Sequence, residues 1–443
     1  MRSSRPSLAL LSLILTLLPW QPASAQAPAE SEAVVALRER FATYRQQEHQ
    51  LGQAALTMRR AQERFVRARA ALSSWRAGKD PNALTAAERK EVDALEAELL
   101  AARQAYGALA DGEVGRTYQR LKGDVDAALK GLAHDLGLAL QKSEDPLLRR
   151  MRANLLVDKG HFDMAEGDLE RVLAARPQDA VALTLRGRCR EARGATEHAL
   201  EDYQAALKLT PSDERRLRAA VACFWLNRFV EARELRDQVK ALEALPAQVQ
   251  LDHAWYLAAP KLEDAEKRWQ RELALRHGEV ERGDLPRVTL ETTRGKVVIE
   301  LFEDSAPRTV AAFLHLIEQG FYDGLTWHRV QPLRLAVTGR PRQPIGRDDE
   351  GPGWATPNEL GQDARQHFRG SVGWLPRGPE GRGGSQLYLS LRPDPELDGR
   401  CLVIGRVVEG IEHVAALRQG DLVDKAKVLR KRAHPYELKK EGL

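Results

Sequence analysis

From residue 31 to about 74 the apolar positions Val34, Val35, Leu37, Phe41, Tyr44, Leu51, Leu56, Phe65 and Leu72 recur at helical spacing among charged residues. The run is free of Pro and Gly except Gly52. The pattern predicts a long amphipathic helix. Gly78-Lys79-Asp80-Pro81-Asn82 breaks it, and Thr85 with Glu88 makes a capping-box pair that opens a second helix to about Ala110. Asp111-Gly112 interrupts again, and a third helical pattern runs from about Val114 to Leu140. The heptad is not strict enough for a two-stranded coil. Residues 26–144 are therefore expected to form a long helical, coiled-coil-like arm.

The pattern then repeats itself. Gly160-His161-Phe162, Ala165 and Pro177 return 34 residues later as Gly194-Ala195-Thr196, Ala199 and Pro211. A degenerate third copy, Asn227-Arg228-Phe229 and Ala232, follows at a spacing of 33. Small residues at fixed offsets let two helices cross closely, and proline ends a unit because it cannot continue the hydrogen-bond ladder. This period, with Gly187 and Tyr203, resembles tetratricopeptide repeats. The resemblance implies two or three helical hairpins over 145–247 that bind a protein partner. Flanking helices and a linker over 248–286, with Trp255 and Tyr256, would cap the stack. Leu262 to His277 reads as the last of these helices, stopped by Gly278.

After Leu285 the period falls to two. Val288-Thr289-Leu290-Glu291-Thr292 and Val297-Val298-Ile299-Glu300-Leu301 flank Thr293-Arg294-Gly295-Lys296 as a hairpin. Ala306 to Gln319 is helical and stopped by Gly320. A Gly- and Pro-rich stretch with short β-type runs follows, and the basic residues 425–443 are expected to be a loosely held tail.

Length and composition narrow the class. At 443 residues the chain is too long for one ordinary domain, and 43% apolar with 30% charged residues fits folded protein. A net charge of +5 is too small to argue for a nucleic-acid partner. Arg2, Arg5, the apolar run from Leu8 to Leu18 and Ala23-Ser24-Ala25 have the anatomy of a cleaved secretory leader over 1–25. Its apolar core is about eleven residues, short of the about twenty that span a bilayer. Export to a periplasm is expected, with no transmembrane segment in the mature chain. Cys189 and Cys223 fall inside helices whose axes pack about 8–10 Å apart, too far for ready pairing. With Cys401 they are expected to be free, buried thiols. His315, His328 and His413 have no ligand-like spacing, so no metal or cofactor is expected.

Gly320-Phe321-Tyr322-Asp323-Gly324-Leu325-Thr326-Trp327-His328-Arg329-Val330 is followed, in order, by Gly383-Gly384-Ser385-Gln386, Leu397-Asp398-Gly399 and Gly405-Arg406-Val407-Val408-Glu409-Gly410. From about Arg287 to Asp424 the chain thereby resembles the cyclophilin-type peptidyl-prolyl cis-trans isomerases. The resemblance implies a closed antiparallel β-barrel over 287–424 with two capping helices, Ala306–Gln319 and one near Gly410–Leu417. The implied fold class is multidomain, an all-α arm and repeats followed by this barrel. Proline-containing polypeptides would be the clients.

Rotation about an X–Pro bond breaks amide resonance, against a barrier of about 18–20 kcal/mol in an ordinary peptide bond. The lone pair then localises on the proline nitrogen, where a fixed donor stabilises the transition state more than the ground state. By resemblance Arg329 is that donor. Gln386 would orient the substrate backbone, and Leu335, Tyr388 and Leu397 would line the pocket, with Leu375 replacing a small residue beside it. Four further positions depart from the family pattern. Arg334 replaces an aromatic residue and sets a second cation near Arg329, Val337 replaces a backbone-binding glutamine, Glu396 a ring, and Cys401 a histidine or tyrosine. Two readings stand at this point. One is an exported isomerase assisting extracytoplasmic folding, for which Arg334→Phe with Val337→Gln is expected to raise turnover. The other is a catalytically weak or inactive peptide-binding module on a repeat scaffold.

Overall fold

The computed structural model describes residues 32–76, 84–342, 351–361, 364–377 and 382–441. The leader expected over 1–25 lies outside the described residues. Helices α1 (Glu32–Arg76), α2 (Ala86–Asp111) and α3 (Glu113–Lys142) follow the predicted pattern. The amide of Glu88 donates to the Thr85 hydroxyl, and the amide of Thr85 donates to the Glu88 carboxylate at 3.0 Å. Leu37 and Tyr44 of α1 and Leu132 and Leu136 of α3 share a core with Leu148, Met151 and Leu155 of α4 (Pro146–Asp158). The chain falls into two compact units, the first ending at Leu155 and taking in Pro246–Gln248. Among the described residues no helix is long and apolar enough to cross a membrane.

The second unit takes in 156–245 and the chain from 249 on. Its helical part holds α5 (Phe162–Ala175), α6 (Ala180–Ala192), α7 (Thr196–Leu209), α8 (Asp213–Trp225) and α9 (Phe229–Asp237). The repeated Ala165, Ala199 and Ala232 are all fully buried. A Cβ on Gly187 would stand 2.5 Å from Tyr203 Cε1, so α6 and α7 meet where there is no side chain. Cys189 and Cys223 are free thiols, pushed up to about 12 by burial.

After α10 (Ala247–Asp252) and a π-turn over His253–Leu257, α11 spans Ala259–Arg282. It runs through Gly278, the expected stop, and ends at Gly283 in the left-handed region (φ 62°). A glycine inside a helix costs only about 1 kcal/mol. Glu279, one residue past Gly278, is held in a buried ion pair with Arg365, which also binds Glu272 at 2.9 Å.

The C-terminal part comprises β1 (Arg287–Thr292), β2 (Gly295–Leu301), α12 (Pro307–Glu318), β3 (Arg329–Gln331), β4 (Leu335–Thr338), β5 (Ser371–Arg377), β6 (Arg382–Ser390), β7 (Leu402–Glu409), α13 (Ile411–Ala416) and β8 (Val423–Arg430). The strands form one curled antiparallel sheet in the order β3-β4-β6-β5-β7-β2-β1-β8. Val288, Leu290, Ile299, Trp327, Ala336, Leu387, Leu389 and Ile404 fill its inner face with Phe313 of α12. The closed barrel expected from the sequence is not completed as a ladder. Edge strands β3 and β8 do not pair, and the isolated bridge Thr326↔Leu422 links the segments before them. β3 stops after three residues because Pro332 has no amide hydrogen and Leu333 turns left-handed (φ 63°).

The expected loose tail is also corrected. β8 pairs with β1 along its length. It buries Val423 and Ala426, while Lys425 and Lys427 reach Asp323 at 2.6 Å and Glu291 at 2.7 Å. A strand with one wet face carries this many lysines without losing its pairing. Beyond it, the Tyr436 hydroxyl donates to Glu303 at 2.7 Å and Glu441 bridges Ala355.

Candidate functional site

Strand register brings the candidate residues together. Arg329 lies opposite Val337, Val337 opposite Tyr388, and Tyr388 opposite Gly373. Residues directly opposite share a face, as do residues two apart on one strand. Arg329, Leu335, Val337, Gln386 and Tyr388 therefore line the outer face of the sheet, while Ala336, Leu387 and Leu389 point into its core. Leu335, Val337, Tyr388 and Cys401 form a compact buried cluster, against which Leu375 and Leu397 pack partly buried. Gln386 is half-buried beside Tyr388 on β6, and Arg329 is exposed on β3. Among the described residues the Arg329 guanidinium has no hydrogen-bond or ion-pair partner, and its charge reaches the Cys401 thiol.

The four departing positions have local explanations. Arg334 does not add an open cation beside Arg329. Its Nε donates to Asp394 at 2.6 Å and its Nη2 to Glu396 at 2.9 Å. The bond to Asp394 is the main cause that raises the Arg334 pKa. Glu396 thus stands as a counter-ion to Arg334, and the two substitutions belong to one charge cluster. Val337, fully buried, offers packing and no amide. Cys401 is buried in the same cluster, and that burial pushes its thiol up.

One side chain escaped sequence reasoning. His367 Nε2 lies 2.6 Å from the Tyr388 hydroxyl and His367 Nδ1 lies 2.7 Å from Asp398 Oδ1. The two rings are near-parallel, with centroids 5.8 Å apart at 17°. Across the Tyr388 ring stands Gly373, where a Cβ would stand 2.0 Å from Tyr388 Cζ. Burial holds the Tyr388 hydroxyl far above its ordinary pKa, so it stays protonated. Asp398 sits in the motif Leu397-Asp398-Gly399, which could have directed attention to it. His367 precedes β5 with no periodic or motif signal.

The segment that carries His367 is anchored to the helical part of the unit. Phe368 belongs to the apolar cluster of the repeats, with its ring 4.7 Å from that of Trp269 on α11. The amide of Arg369 donates to Asn227 Oδ1 at 3.1 Å.

A family model described as cyclophilin type peptidyl-prolyl cis-trans isomerase/CLD matches residues 287–433, and one described as tetratricopeptide repeat matches 150–214. The chain is 36% identical over 142 residues to a peptidyl-prolyl cis-trans isomerase of Synechococcus elongatus, covering 32% of this chain and 94% of that one. It is 35% identical over 133 residues to peptidyl-prolyl cis-trans isomerase B of Bacillus subtilis, covering 30% of this chain and 90% of that one. Among solved structures it is similar to a cyclophilin from Hirschia baltica, with a TM-score of 0.27 and 22% identity over 32% of this chain and 73% of that one.

Proposed function

We propose, since this chain belongs to the cyclophilin-type peptidyl-prolyl cis-trans isomerase family, that its isomerase activity runs through Arg329. The observation that carries the reading is the exposed Arg329 guanidinium, unpaired among the described residues, in register with the buried cluster of Leu335, Val337, Tyr388 and Cys401. A proline ring seated against Leu335, Tyr388 and Leu397 leaves the rest of the peptide to rotate. Gln386 holds the backbone of the substrate, and Arg329 donates to the proline nitrogen as its lone pair localises. Arginine suits the task because it stays charged and presents its donors in a rigid fork. No nucleophile is consumed and no covalent bond breaks.

The repeats over 150–214 are a partner-binding region joined to the isomerase domain. In this reading the leader anatomy over 1–25 directs the protein out of the cytoplasm, to the periplasm, and its clients are extracytoplasmic chains whose folding waits on slow prolyl isomerisation. N-terminal sequencing of the mature protein tests the first point, and a start at Gln26 is expected.

The enzymatic reading is tested by a protease-coupled isomerase assay on a short X–Pro peptide. Arg329→Ala should lower turnover by about 10²–10³, the loss seen when one transition-state donor is removed, with melting unchanged. Full turnover in Arg329→Ala would remove Arg329 from the mechanism.

A further inference from the structure

One line of hydrogen bonds crosses from the helical part of the second unit to the wall of the proposed pocket. Arg268 of α11 donates to Asp398 Oδ2 at 3.1 Å. Asp398 Oδ1 lies 2.7 Å from His367 Nδ1 and also accepts from the His367 amide at 2.9 Å. His367 Nε2 lies 2.6 Å from the Tyr388 hydroxyl. An ionised carboxylate can only accept, so Nδ1 is the donor to Asp398, and with the ring neutral Nε2 accepts from the Tyr388 hydroxyl. His367 is only 2% exposed, which keeps water from competing for either bond.

The Tyr388 ring is thus fixed at two points. Gly373 lets the ring pack closely against β5, and His367, near-parallel to the phenol, ties the hydroxyl at its tip. A phenylalanine would keep the first restraint and lose the second. The choice of tyrosine at 388 and the path through His367 and Asp398 to α11 therefore explain each other.

We infer that His367 is a positioning residue for the pocket wall at Tyr388, and that Arg268, by holding Asp398, makes α11 part of the isomerase's working unit. This rests on the reading of Leu335, Tyr388 and Leu397 as the proline pocket. A fixed ring serves ground state and transition state alike, so its loss appears in KM and leaves kcat nearly unchanged.

The test is a double-mutant cycle in the full chain, with KM and kcat measured on an X–Pro peptide. His367→Ala should raise KM by about threefold to tenfold, the net size of one hydrogen bond. Tyr388→Phe should do the same, and the double variant should be no worse than either single one. Arg268→Ala removes the far end of the line and leaves the pocket side chains in place. It should raise KM by about twofold to threefold in wild type, and not in the Tyr388→Phe background. Arg268→Lys should recover part of that loss.

A KM increase for His367→Ala that is as large with Phe at 388 as with Tyr overturns the inference. If His367→Ala does not fold, the Arg268→Ala comparison decides in the same way. The pocket reading fails separately. Tyr388→Ala with unchanged KM would remove the pocket, whereas a raised KM there with silent His367 and Arg268 variants would remove the relay alone.

Discussion

Arg334→Phe restores the aromatic residue that the family pattern favours, and on sequence grounds it should help catalysis. The structure predicts that it destabilises the domain. Asp394 is 4% exposed, and its carboxylate accepts from Arg334 Nε at 2.6 Å and from Nη2 at 3.3 Å. Phenylalanine would leave that carboxylate buried without its cation. Breaking a wholly buried pair costs about 3–5 kcal/mol. The Arg334 side chain keeps 30% of its surface in water, and Glu396 keeps 54%, so the Glu396 contact adds little. With the screening of Arg334 discounted, about 2 kcal/mol remains for Asp394. In a unit of this size each kcal/mol moves the melting point by about 2–4 °C, so the variant should melt about 4–8 °C lower. Thermal melting of the full chain, followed by tryptophan fluorescence from the buried Trp327 and Trp374, reads this directly. Adding Asp394→Asn should recover most of the loss, because a neutral amide leaves no charge to solvate. Wild-type melting of Arg334→Phe, or higher turnover with no loss of stability, would refute the argument.

Further expectations concern other parts of the chain. Arg329→Lys should keep only part of the wild-type kcat, since a point charge lacks the guanidinium fork, and a fully active lysine variant would argue against a directed donor. Ala199→Phe should overpack the buried crossing of α6 and α7 at a cost of about 1–3 kcal/mol, read as a lower melting point of the second unit. An unchanged melting point would show the repeat register to be wrong. Asp323 accepts from the Lys425 ammonium and from the Ala426 amide at 2.9 Å, tying β8 to the turn after α12. Burial alone would raise its carboxyl, but those two partners bring it below its ordinary value. Its stabilisation is thus complete above the ordinary carboxylate pKa of about 4 and fades as pH falls through the lower folded value. Asp323→Asn should melt below wild type at neutral pH, and the gap should close under acid. A gap that stays constant down to about pH 2 would show that the carboxylate's charge contributes nothing.

Where a structural signal lies between neighbours along the chain, the sequence by itself determined the outcome. The helical spacing from Val34 to Leu72, the Thr85–Glu88 cap, the small residues at Ala165, Ala199 and Ala232, and the β1–β2 hairpin all act over a few residues, and each is found where the pattern puts it. The resemblance named Arg329, Leu335 and Tyr388 together, but it is the pairing of β3, β4 and β6 that puts them on one face, because a period of two fixes a face only once the register is set. Other features needed the tertiary structure. Gly278 reads as a stop until Arg365, far along the chain, ties down Glu279 beyond it. The lysines of 425 and 427 read as a tail until β1, Asp323 and Glu291 meet them. Arg334 reads as an intruding charge until Asp394 and Glu396 surround it, and His367 shows no pattern until it lies between Tyr388 and Asp398. A polar or charged side chain takes its meaning from the partner that desolvates or neutralises it, and folding brings that partner from a distant part of the chain.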